Sequence, residues 1–268
     1  MGELIYLYGL IPSNESVSQP VPSMKGFDGK GDIYTISIEE ITAIVCKLDA
    51  KEYSEEIIKE KINSDMEWLQ EKAFHHHETV MGLSKLYTVI PLKFCTLYKN
   101  ETSLTDIVKQ NHSKMTDTFA LLEGNEEWNL KIYCNDELLK KQVSKSNPAI
   151  EKQREEISQL SKGKQFFEKR KLDKLIDDEV ENEKDRVSER IHTHLKEFVL
   201  QGNVKRNWSK DVTGRKENMT WNSVYLISSS KVEQFLEEIQ QFEKKMGDMG
   251  WQFEPTGPWP AYHFSSFS

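Results

Sequence analysis

The sequence predicts an α+β protein of two domains, and three observations carry that reading. Before Asn135, apolar runs rich in β-branched residues alternate with stretches whose apolar residues fall three or four apart. Beyond Asn135 the chain turns dense in Glu, Lys, Asp and Arg as far as Leu200. At 268 residues it also exceeds the length of roughly 250 at which single cores become uncommon. The boundary is therefore placed near Asn135, with a first domain over 1–135 and a second over 136–268.

Leu4-Ile5-Tyr6-Leu7-Tyr8 is apolar on both alternating faces, as a strand covered on two sides must be. Residues 12–31, with Pro20, Pro22, Gly26, Gly29 and Gly31, read as a surface loop. The runs Ile33 to Ile38 and Ile41 to Leu48 flank Glu39-Glu40 and predict a hairpin, so three strands precede any helix. From Ser54 the period becomes helical, with Ile58, Ile62, Met66, Leu69, Ala73, His77, Val80 and Leu83 on one stripe. Ser64 followed by Glu67 has the spacing of a capping box and predicts a break there. Tyr87 to Tyr98 reads as a short strand and loop around Pro91. A further helix carries Leu104, Ile107, Val108, Met115, Phe119 and Leu122, and Trp128, Leu130, Ile132 and Cys134 alternate as a half-buried strand. Several strands with two helices on one face make an α+β sandwich close to a rearranged ferredoxin-like unit.

In the second domain Leu172, Ile176, Val180, Val187, Ile191, Leu195 and Phe198 form a narrow stripe that skips the turn at Glu183-Lys184. So thin a seam suits a long helix packed on one other helix in coiled-coil style, with the mixed charges around it solvated. A strand over Met219 to Ile227 follows, then a helix opened by Ser230 with Glu233 as its capping box. Gly247 and Gly250 stop that helix ahead of a final strand at Trp251 to Phe253. The tail to Phe264 is rich in aromatic residues and proline, and Pro255, Pro258 and Pro260 exclude a helix interior or central strand. Its rings need a surface, and docking back onto this chain's own domains is favoured over exposure.

The chain is 30% charged with a net charge of -8, which gives no general attraction to nucleic acid or to an anionic membrane. The apolar run Leu4 to Ile11 is far short of the ~20 residues a spanning helix needs, and a cytoplasmic location is expected. Cys46, Cys95 and Cys134 are odd in number and widely spaced, which predicts buried free thiols.

His75-His76-His77 invites a metal assignment, but neighbouring helical residues point about 100° apart and cannot converge on one ion. Glu71 with His75, and His75 with Glu78, do have ligand spacing, and a metal-dependent enzyme on that helix face is one alternative function. His77, between Ala73 and Val80 on the stripe, is expected to be partly buried and bonded to backbone. No phosphate-binding glycine loop or nucleophile elbow is present, and Gly26 to Gly31 reads as a flexible excursion. Lys205 to Lys210, continued by Arg215-Lys216, interleaves Trp208 with basic residues and offers a nucleic-acid-binding regulator as a second alternative. A turn whose Trp208 packs down while its lysines face water is the favoured reading. No catalytic residue, metal or cofactor is assigned.

Three blocks of residues resemble one family. They are His77-Glu78 followed by Val89-Ile90-Pro91-Leu92-Lys93-Phe94-Cys95-Thr96; Gly163-Lys164-Gln165-Phe166-Phe167 with Lys169-Arg170; and Thr256-Gly257-Pro258-Trp259-Pro260-Ala261-Tyr262-His263-Phe264. Together with the opening Tyr6-Leu7-Tyr8-Gly9 they are similar, in order, to the F/L family of gas vesicle proteins. Lys93 stands where Arg is usual, Cys95 where Gly is usual and Ala261 where Pro is usual. A cysteine at position 95 implies that the backbone there has little need of positive φ. The resemblance implies an N-terminal modified ferredoxin-like domain and a C-terminal α+β domain with long helices. It implies an assembly accessory protein and not an enzyme. Its partners would be the small hydrophobic major shell protein and other gas vesicle accessory proteins, with no nucleic acid and no membrane. It would limit shell-protein aggregation in the cytoplasm and stay as a minor vesicle component. The motif residues His77, Pro91, Leu92, Lys93, Phe94, Thr96, Gly257, Pro258, Trp259, Pro260, Tyr262 and Phe264 are the candidate partner-binding positions.

Overall fold

A computed structural model describes residues 2–265 as a mixed α+β protein with two antiparallel sheets. The chain divides into two compact units. One runs up to Glu127 and takes up the chain again from Pro258, and the other is Trp128–Gly257. The division thus falls before Asn135, and the tail from Pro258 belongs to the first unit.

The strands, in chain order, are β1 (Glu3–Pro12), β2 (Tyr34–Ile38), β3 (Ile41–Asp49), β4 (Ile90–Pro91), β5 (Leu97–Tyr98), β6 (Asn125–Cys134), β7 (Gln201–Val204), β8 (Asn218–Ser228) and β9 (Trp251–Trp259). In the first unit the order is β2-β3-β1-β4, with β5 also pairing β1. β1 is central and buried along nearly its whole length, as its two-sided apolar pattern requires. Both faces of this sheet are therefore covered, not one. β1 and β3 run antiparallel, with a register shift between Leu7 and Gly9. A ferredoxin-like unit would insert a full crossover helix between its first two strands. Here only the six-residue helix Ser13–Ser18 stands there, so a short helix does precede the second strand.

Residues 19–33 are anchored, contrary to the flexible excursion expected. The Gly26 N–H donates to the Gly31 carbonyl at 2.8 Å, Asp28 accepts from the N–H groups of Lys30 and Gly31, and Phe27 is fully buried. Gly26 lies so close to β3 that a Cβ there would sit 2.8 Å from the Cβ of Cys46.

The helical stretch after Ser54 is two helices, Glu55–Ser64 and Met66–Ser84. The break lies where sequence placed it, but the cap is Asp65, whose carboxylate accepts from the Trp68 N–H, while Ser64 Oγ donates back to the Glu60 carbonyl. The buried stripe of the second helix is Trp68, Lys72, His76, Thr79, Val80 and Leu83, so His76 is the buried histidine and His77 is only half-buried. The next helix is likewise interrupted, at Asn111, into Glu101–Gln110 and His112–Leu122.

In the second unit the sheet order is β7-β8-β6-β9. One 34-residue helix, Lys162–Leu195, buries Leu172, Ile176, Val180, Lys184, Val187, Ser188, Ile191 and Leu195. The turn that interrupted the apolar stripe is filled by Lys184, whose ammonium lies 2.7 Å from both Asp136 and Glu181. Burial alone would lower the Lys184 pKa, but the bonds to Asp136 and Glu181 outweigh it and raise it. The seam meets two successive helices, Asp136–Ser146 and Pro148–Ser158, separated by the Asn147-Pro148 breaker with Asn147 as cap. The helix Val232–Met246 covers the same core through Phe235, Ile239 and Met246. It has no side-chain cap, because Ser230 Oγ bonds to Ser228 Oγ at 3.0 Å in place of the expected box.

Candidate functional site

The motif residues of the first unit gather around His76. β1 places the Tyr6 and Tyr8 rings beneath the helix Met66–Ser84, and Tyr8 lies in the register shift of that strand. His76 Nε2 lies 3.1 Å from the Leu92 carbonyl, which can only accept, so Nε2 carries the proton. Nδ1 is then an acceptor, and the Tyr6 hydroxyl donates to it at 2.8 Å while accepting from the Cys95 N–H at 3.2 Å. The Tyr262 hydroxyl, from the tail, approaches Nε2 at 3.4 Å. The Tyr8 ring stacks on His76, and Phe94 meets it edge-on. Tyr8 also bonds His75 Nε2 at 3.0 Å.

Burial sets the electrostatics of this cluster. It pushes the His76 pKa down to about 4, and the Leu92 carbonyl opposes that only in part. Burial raises Tyr6 and Tyr8 well above the ordinary phenol range and Tyr262 to about 12. At neutral pH the cluster is uncharged and fully bonded. Such a network fixes one arrangement of its members.

Pro91 is buried in β4, and the Gly9 and Pro91 pair ties that strand to β1. The Leu92 N–H donates to the Tyr8 carbonyl at 2.9 Å. Lys93 to Thr96 form a turn closed by Thr96 N–H to the Lys93 carbonyl, and Cys95, its third residue, has φ 63°. The expectation that the backbone at Cys95 has little need of positive φ is thus overturned. The turn demands it, and Cys95 bears the strain while its thiol is pushed up to about 12 by burial. Cys95→Gly should therefore equal or exceed wild-type stability, and exceed Cys95→Ala by about 1 kcal/mol in denaturant unfolding. An alanine variant as stable as the glycine one would remove the strain argument.

The tail completes the site. The Trp259 ring packs 5.7 Å from His77, and Pro260 is buried. The His263 N–H donates to Glu127 Oε2 at 2.9 Å, and His263 Nδ1 lies 2.6 Å from Glu127 Oε1, a carboxylate buried to 2% exposure. Phe264 is half-buried, Pro258 is exposed and Gly257 is the last residue of the second unit. Leu92, Phe94 and Tyr262 thus meet at His76 and Trp259 packs beside it on His77, while sequence reasoning did not single out His76, or Glu127 as the partner of His263. The aromatic hydroxyls of β1 were the available signal, since a buried Tyr needs a partner.

The alternative chemistries find less support. Glu71 pairs with Lys72 and His75 bonds Tyr8, and Glu71, His75 and Glu78 do not bring ligand atoms within 4.8 Å of one another. Among the described residues that spacing is met by Glu39, Glu40 and His112, where His112 Nε2 lies 2.9 Å from Glu40 and ties the hairpin turn to a helix. In the basic segment, Arg215 pairs with Glu254 and stacks 4.2 Å over Tyr133. Trp208 is not packed down but 45% exposed, with the Lys131 ammonium 4.6 Å over its ring. No described helix is long and apolar enough to cross a membrane. Cys46, Cys95 and Cys134 are free thiols, the first and last buried.

Comparison with known proteins agrees with the motifs. The chain is 21% identical to gas vesicle protein L of Streptomyces sp. (strain CB03234), over 85% of this chain and 81% of that one. It is 22% identical to gas vesicle protein F of Microcystis aeruginosa (strain PCC 7806), over 91% of each. The crystal structure of GvpF from Anabaena sp. PCC7120 superposes with a TM-score of 0.73 at 18% identity, covering 100% of both chains. That of GvpF from Microcystis aeruginosa gives 0.67 at 18% identity, covering 98% and 99%. The sequence model of the gas vesicle synthesis protein GvpL/GvpF family matches residues 4–266, and the chain belongs to that family.

Proposed function

We propose that this protein is a non-enzymatic assembly factor that holds the hydrophobic major shell subunit in the cytoplasm, limits its aggregation and stays with the vesicle as a minor component. Family membership along residues 4–266 carries the reading. Other gas vesicle accessory proteins are its further partners. A charged body with exposed apolar side chains such as Phe74, Phe166 and Phe167 suits transient holding of an apolar client.

In this reading the motif residues His77, Pro91, Leu92, Lys93, Phe94, Thr96, Trp259, Pro260, Tyr262 and Phe264 keep the tail closed on the first unit. Their bonds and ring contacts within that unit favour an internal role over client contact. Solubilised shell protein, diluted into buffer with an equimolar amount of this protein, should remain in the supernatant after centrifugation. Pelleting to the same extent as without it would refute the proposal.

A further inference from the structure

The long helix Lys162–Leu195 has no buried side chain before Leu172. On that free stretch Phe166 and Phe167 stand 61% and 67% exposed, and Leu160, just before the helix, is exposed too. The two rings meet edge-to-face, with centroids 5.8 Å apart, and the Arg170 guanidinium lies 5.6 Å over Phe166. Adjacent phenylalanines this open to water gain little from intramolecular packing. An exposed aromatic pair with a polar rim marks a contact surface.

The charge around the rings is the reverse of the chain as a whole. Over residues 162–174, Lys162, Lys164, Lys169, Arg170, Lys171 and Lys174 face Glu168 and Asp173, six positive against two negative or +4. The chain is -8, so the remainder carries -12. All six basic residues are exposed. A surface with two rings inside a basic collar complements an apolar ridge flanked by carboxylates.

We propose that this helix end is where the client docks: Phe166 and Phe167 take an apolar ridge of the shell subunit, and the basic collar pairs with acidic residues beside it. The occupant is an acidic amphipathic segment of the client protein. This placement rests on the shell-holding function proposed above. Two other occupants fit less well. A single-stranded nucleic acid needs open ring faces for base stacking, whereas Phe167 meets Phe166 edge-on and Arg170 covers the Phe166 face. An anionic bilayer would attract the collar but repel the -12 of the remaining chain.

The test compares full-length wild type with F166S/F167S and with K164E/R170E, using solubilised shell protein as the probe. Thermal unfolding should be unchanged in both variants, because every substituted side chain is exposed. F166S/F167S should need at least tenfold more protein to keep half the shell protein soluble. K164E/R170E should weaken holding several-fold in low salt, and the difference from wild type should shrink as salt rises. Equal holding by wild type and both variants overturns the placement while leaving the function standing. No holding by wild type overturns both. Phenylalanine-dependent retention of phosphatidylserine vesicles or of a single-stranded oligonucleotide, with shell-protein holding unaffected, overturns it in favour of that ligand.

Discussion

Replacing His76 by leucine should lower the unfolding free energy at pH 7 by about 3 kcal/mol, since the Tyr6 hydroxyl and the Leu92 carbonyl each lose a buried partner at roughly 1–3 kcal/mol apiece. The same substitution should remove an acid sensitivity. In the folded state His76 titrates near 4 and in the unfolded chain near 6.5. Between those values the unfolded state binds more protons, so stability rises with pH. This contribution is complete above pH 6.5 and is lost as pH falls to about 4. A difference of about 2.5 pKa units corresponds to about 3 kcal/mol. Protonation makes Nδ1 a donor, so the Tyr6 hydroxyl would have to turn from donating to accepting within the buried cluster. His75, lowered mainly by its own burial, contributes with the same sign, so the wild-type-minus-variant difference is the quantity to follow. Denaturant unfolding at pH 7, 5.5 and 4.5 measures it, and parallel pH profiles for the two proteins would contradict the network described.

Phe27→Ala should cost about 3–5 kcal/mol, as for other large aromatic side chains removed from a core. Phe27 is fully buried, stacks on Tyr6 with centroids 4.2 Å apart and touches Tyr53, Trp68 and Phe94 through ring contacts. Its removal also exposes the Tyr6 ring that orients His76. A residue of a mobile loop would give a change below about 0.5 kcal/mol, the size typical of surface sites. Chemical denaturation of the purified variant separates these outcomes by a wide margin.

The contrast between these two residues shows where sequence reasoning holds and where it stops. The β1 and β3 strands and the long helix were legible because apolar periodicity reports burial directly. Phe27 was hidden, because glycines that permit a tight approach to β3 look the same in sequence as glycines of a free loop. His76 was missed through phase. The stripe was read through Leu69, Ala73 and His77, and the buried Trp68, Lys72 and His76 each lie one residue earlier, while Val80 and Leu83 are common to both. The partners of buried polar groups lie far off in sequence, 70 residues for Tyr6 with His76 and 136 for Glu127 with His263, beyond any local pattern. At Lys184 and Cys95 the local rules gave way to tertiary demand, a buried ammonium held by exposed carboxylates in one case and a turn needing positive φ in the other.

The return of the tail to the first unit has a consequence for biosynthesis. Tyr262 reaches His76 at a sequence separation of 186, and the whole second unit is made between them. A ribosome therefore releases the first sheet with its histidine pocket uncapped, and translation must pass through Gly257 before the closing segment exists. At about 5–20 residues per second, that leaves the pocket open for roughly 7–30 seconds after Glu127 is made. The order of synthesis thus makes closure of the first unit a late step in the maturation of the chain.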